Sequence, residues 1–106
     1  MGGALNAQGD ISGALESYRE SLAIREKLGK QDLGNVGWQA DLAYSYWKTG
    51  EVWSKVDPRS KNESRAMAEK GRDILRELKK RTGLTIDQQN WLNAIEADLQ
   101  KMDETR

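Results

Sequence analysis

Neither cysteine nor histidine occurs among the 106 residues of the chain. That double absence removes thiol nucleophiles, imidazole bases, Ser-His-Asp triads, disulfides and nearly all zinc sites, and most catalytic chemistry goes with them. Neither sign of charge is in excess: Lys plus Arg and Asp plus Glu number 17 each, which leaves no global field to draw in nucleic acid or an anionic membrane. No apolar run approaches the roughly 20 residues that a bilayer span requires, and nothing in the chain resembles a secretory signal. The expectation is a soluble, cytoplasmic, non-enzymatic chain that meets neither nucleic acid nor membrane and needs no cofactor and no metal.

What is present suits one small helical domain. A hydrophobic content of 37% is modest but sufficient for a single core at this length. Charge is uneven along the chain, with ten basic residues against five acidic ones between Lys55 and Arg81. Glu69, Asp73 and Glu77 interleave with those bases at helical spacing, as on an ordinary solvated helix face. The carboxylate pairs Glu16–Glu20 and Glu69–Asp73 read the same way rather than as an acid and base.

Periodicity and punctuation predict an all-α chain of about five helices and no strand. Residues 2–8 read as the stub of a first helix, stopped at Gly9 and preceded by no cap, as in a segment cut from a longer protein. Asp10 or Ser12 can cap a second helix running to about Leu28, with Ala14, Leu15, Tyr18, Leu22, Arg25 and Leu28 in its stripe. Gly29 and then Asp32–Asn35 form a break, and Asn35 can cap the long third helix. The only proline, Pro58, ends that helix within Asp57-Pro58-Arg59-Ser60. A fourth helix spans about Ser60 to Arg81, carrying Met67, Gly71, Ile74, Leu75 and Leu78 on one side. Gly71 in that stripe implies close approach of a neighbouring helix. Gly83 stops it. Thr85 with Gln88 then makes a capping box for a fifth helix, whose inner side carries Trp91, Ala94, Ile95, Asp98 and Leu99.

The third helix, from Asn35 to Val56, organises the rest. At 100° per residue Trp38, Leu42, Ser45, Tyr46, Thr49, Val52, Trp53 and Val56 share a side expected to be core. Ala40, Tyr44, Trp47, Lys48, Glu51 and Lys55 share the other, so two large aromatics stand among charges on the face expected to look outward. Sliding the chain on itself by about 53 residues aligns Leu22 with Leu75, Trp38 with Trp91, Leu42 with Ile95 and Tyr46 with Leu99. A helix pair is thereby repeated.

Two segments carry a family resemblance. Ala7-Gln8-Gly9-Asp10 through Gly13-Ala14-Leu15 to Tyr18 and Leu22 is similar to the inter-helix turn and second helix of a tetratricopeptide repeat (TPR). Gly37-Trp38 through Tyr44-Ser45-Tyr46-Trp47 to Gly50-Glu51-Val52 resembles the long first helices of bacterial arrays of this kind, with Gly50 where two helices cross. The match weakens after Asp57, where the turn lacks its glycine and Lys70 or Gly71 replaces the usual aromatic. The resemblance implies antiparallel helix pairs stacked as a short right-handed superhelix: residues 1–29 a partial first repeat, 35–82 a second and degenerate one, 84–106 a capping helix. It implies a non-catalytic module that binds a protein or peptide in a groove lined by the first helix of each pair, here through Tyr44, Trp47, Glu51, Ser54 and Lys55. The alternative is a structural terminal cap or self-association element, a homodimer through the N-terminal half, because a short first helix would leave Ala14, Tyr18 and Leu22 uncovered.

Overall fold

A computed structural model describes the backbone of residues 3–104 and the side chains of residues 13–103. Among the described residues there are four α-helices: α1 (Gly3–Gln31), α2 (Val36–Val56), α3 (Lys61–Arg81) and α4 (Ile86–Glu104). One 3-10 turn, Pro58–Ser60, joins α2 to α3, and no strand occurs among the described residues.

The expected first and second helices are one. The α1 helix passes through Gly9 and Gly13 without a break and continues beyond Leu28 and Gly29 to Gln31, so Asp10 and Ser12 cap nothing. Glycine inside a helix costs about 1 kcal/mol relative to alanine, but it keeps its N–H and clashes with nothing, so unlike proline it does not force an end. The stops that do hold have dedicated chemistry. Asn35 Oδ1 accepts from the Trp38 N–H at 3.0 Å at the start of α2. Asp57 leaves helical geometry before Pro58, and its side chain accepts from the Arg59 N–H. Gly83, at φ +82°, takes the left-handed conformation that ends α3, its N–H shared between the Leu78 and Lys79 carbonyls. Thr85 and Gln88 bond reciprocally at 3.1 Å each, completing the capping box of α4.

Each helix runs antiparallel to the next, because residues rising along one meet residues falling along the other. Arg19 meets Trp53 while Arg25 meets Ser45 across α1 and α2; Gly50 meets Ser64 while Ala43 meets Gly71 across α2 and α3. The α2 helix is the hub, touching α1, α3 and α4. The main core joins Ala40 and Ala43 of α2 to Ala68, Leu75 and Leu78 of α3 and Leu92, Ile95 and Leu99 of α4. A second cluster joins Leu22 of α1 to Leu42 and Tyr46, with Met67 and Ile74 packed against it. The 53-residue offset is visible in burial: Leu22 and Leu75, Leu42 and Ile95, Tyr46 and Leu99 are buried in pairs, and Trp38 and Trp91 are both half-buried.

One side of α2 was misassigned by its periodicity. Ala40, expected outside, is only 2% exposed, whereas Val52, Trp53 and Val56, expected inside, are half-buried. A hub helix has neighbours on three sides, and its smallest residues take the tightest of them. Thr49 is fully buried with its hydroxyl unpaired, and it fills a valine-shaped place in the core.

The backbones of α2 and α3 approach closely at two glycines. A Cβ on Gly71 would lie 2.8 Å from the Ala43 carbonyl oxygen, and one on Gly50 would lie 2.9 Å from that of Ser64. Neither backbone atom can yield without separating the helices. Gly13, by contrast, has open space around it. Gly71→Ala should therefore cost about 1–3 kcal/mol by overpacking, while Gly13→Ala should gain roughly 0.5–1 kcal/mol of helix propensity. Urea denaturation of both variants checks this, and a Gly71→Ala protein as stable as its parent would contradict the packing described.

The α1–α2 seam is polar as well as apolar. Arg25 donates to the Ser45 hydroxyl, and Tyr46 Oη donates to Glu26 Oε2 at 2.6 Å. Burial of the phenol, then its hydrogen bond to Glu26 and the charge of that carboxylate, push Tyr46 far above the ordinary tyrosine value. The folded chain thus holds this proton more tightly than the unfolded chain does. Its contribution is complete below about pH 10, where an unfolded tyrosine titrates, and is lost as pH rises beyond that. Stability measured by urea unfolding should fall as pH rises above about 10 more steeply in the parent than in Tyr46→Phe, which should itself lose about 1 kcal/mol at neutral pH. Parallel pH profiles would rule out this linkage.

Candidate functional site

The aromatic side of α2 faces α4. Trp47 donates its indole N–H to Asp98 Oδ2 at 2.9 Å, and Tyr44, one turn earlier, packs against the Trp91 ring at a centroid distance of 4.8 Å. Tyr44 and Trp47 also meet edge to face, 5.8 Å apart at 87°. Since Tyr44 meets Trp91 and the later Trp47 meets the later Asp98, α2 and α4 run parallel with aromatic residues in the seam between them. All three rings are half-buried.

Beyond Trp47 the seam opens into a cleft of about 230 Å³ lined by Trp47, Glu51 and Ser54 of α2, Ser64 and Ala68 of α3, and Asp98, Lys101 and Met102 of α4. Its floor is held by the α2–α3 crossing, where the Ser64 hydroxyl donates to the Gly50 carbonyl at 2.8 Å. Ser54 turns its hydroxyl back onto the Glu51 carbonyl at 2.8 Å, so its carbon face is what the cleft receives. Arg65 of α3 is bonded to Asp103 of α4 and lies 3.8 Å from Glu69, and the Asp103 bond, ahead of the nearby negative charges, raises the guanidinium above its ordinary value. This pair ties the end of α4 to α3.

Three of the five residues expected at a binding face, Trp47, Glu51 and Ser54, line this cleft together. Tyr44 stands one turn away against Trp91. Lys55 is exposed and not among the lining residues. Lys101 and Met102 were missed, and Asp98 was expected on the inner side of its helix but not at this face. The available signal was Asp98 itself, since a carboxylate on the inward stripe of a helix needs a donor opposite it, and an indole N–H is one.

The carboxylate pairs read from the sequence are ion-paired or exposed. Glu69 is paired with Arg65 and Asp73 with Arg72, while Glu16 and Glu20 stand exposed on α1. At the α2 terminus the Arg59 N–H, and then its guanidinium, hold the Asp57 carboxyl below the usual carboxylate range, which fits a helix cap. No group of three or more potential metal ligands occurs among the described residues, and no described helix is long and apolar enough to cross a membrane.

Compared with protein-family models, with curated proteins and with solved structures, the chain finds no match in any of the three.

Proposed function

We propose that this chain is a non-catalytic interaction module of tetratricopeptide type, a short superhelical stack that binds a protein or peptide in the cytoplasm of a bacterium. The parallel placement of α2 beside α4, with a cleft opening between them, carries the reading. In such arrays the first helices of successive pairs lie side by side and line the groove, and on this reading α2 and α4, equivalent in the 53-residue repeat, would be those helices. The cleft combines a tryptophan, a methionine and small residues with Glu51, Asp98 and Lys101, an apolar floor with polar groups at its edge that suits a peptide side chain. Tyr44 and Lys55 extend the same helix face on either side of it.

The test is a partner captured by the chain, purified and titrated against variants. Ser54→Arg projects a bulky charge into the cleft from a residue whose hydroxyl bonds only its own helix. It should weaken binding by about tenfold or more, equivalent to about 1.4 kcal/mol, with the helical circular dichroism unchanged. Equal affinity in a folded Ser54→Arg protein would remove the cleft from the proposal.

A second reading, self-association, is favoured by the length of α1. It has 29 residues against 21 in α2, and both start counting from the turn at residues 32–35, so the N-terminal turns of α1 run past the far end of α2. The sequence there includes Ala4, Leu5, Ala7 and Ile11. A second copy of the chain is the proposed cover, through the N-terminal half. Sedimentation at micromolar concentration should then detect a dimer that reverts to monomer when residues 1–12 are removed; a single monomeric species in the full chain would dispose of this reading.

A further inference from the structure

The Tyr44–Trp47 face of α2 already holds a cation. The Lys48 ammonium lies 4.1 Å from the centroid of the Trp47 ring and 5.8 Å from that of Tyr44, and Glu51 Oε1 is 3.6 Å from it. Two ring faces and a carboxylate converging on one ammonium form a cation site, because the negative faces of the ring quadrupoles add to the carboxylate charge. Both rings are fixed before any ligand arrives. Trp47 is anchored by its bond to Asp98 and Tyr44 by its packing on Trp91.

Lys48 is a replaceable occupant. Its side chain is 23% exposed, so the ammonium sits at the boundary with solvent, and its flexible stem can swing away by rotation without moving the helix. The fixed parts of the site carry negative charge, with Glu51 on one side of Trp47 and Asp98 at its indole nitrogen. We propose that Tyr44, Trp47 and Glu51 form a pocket for the cationic side chain, lysine or arginine, of a partner peptide, and that Lys48 fills it while no partner is bound. This deepens and rests on the reading of the α2 face as a binding surface. An internal cation that must leave first lowers the apparent affinity by the fraction of time the pocket is free, so the device selects for partners that bring a cation and further contacts together.

The test needs no partner. Tetramethylammonium chloride is titrated into the parent chain and into Lys48→Met at constant ionic strength, with the indole N–H resonances followed by two-dimensional NMR. Lys48→Met keeps most of the stem and removes the ammonium; Lys48→Gln serves as a second variant should the first be poorly folded. The expected result is a saturable shift of the Trp47 resonance, half-complete at about fivefold lower concentration in the variant than in the parent, with Trp38 and Trp53 unmoved. Neopentyl alcohol, a neutral molecule of similar shape, should produce no such shift. The proposal is overturned by the lack of a saturable Trp47 shift in both variants, by equal half-points with and without Lys48, or by an equal response to the neutral molecule. Because the probe is a small cation, this outcome is independent of whether any captured partner binds the cleft.

Discussion

Two missing side chains set the geometry on which the rest of the molecule depends. At Gly50 and Gly71 the backbones of α2 and α3 come so near that a single methyl group would strike a carbonyl oxygen. Interiors close-packed to this degree cannot absorb such a clash by small adjustments. With the two helices held at that spacing, Ala40, Ala43 and Ala68 can be buried in common, and α4 can settle across both. The aromatic seam follows from that placement. Trp47 finds Asp98 and Tyr44 finds Trp91 only because α2 has been drawn deep enough against α3 to leave its next face toward α4.

Sequence reading succeeded where the determining chemistry was local. Asn35, the Thr85–Gln88 pair, Pro58 and Gly83 each act within a few residues, through a hydrogen bond or a backbone preference that the residue type alone specifies. Gly71 was also legible, because a glycine in the buried stripe of a helix makes sense only when another backbone lies against it. Gly9 was misread for the complementary reason: whether a glycine ends a helix or merely weakens it is settled by the total stability of the flanking turns, not by the glycine.

The site was legible on one helix and hidden on its neighbour. Periodicity found Trp47 and Glu51 because they share a face of α2, and the family resemblance added Ser54. Periodicity also put Ala40 on that face, since a wheel drawn for one buried side cannot represent a helix enclosed on three. Asp98, Lys101 and Met102 lie some fifty residues away; the pattern within α4 put Asp98 on its inner side, but the arrival of all three beside α2 depends on the crossing at Gly50 and Gly71. Lys48 illustrates a further limit. Its charge suggested a solvated position, yet its ammonium lies over the rings beside it, a contact between neighbours on one turn that a polarity pattern does not register.

The fastening of α4 has a thermodynamic corollary. The cleft draws residues from α2, α3 and α4, so its walls exist in full only while α4 is seated. Opening of α4 and occupancy of the cleft are therefore mutually exclusive states of one equilibrium. Anything that fills the cleft holds α4 down by mass action, in proportion to its concentration above its dissociation constant. A ligand seated in the cleft would in that sense be reported by α4, whose amide protons would exchange more slowly in its presence.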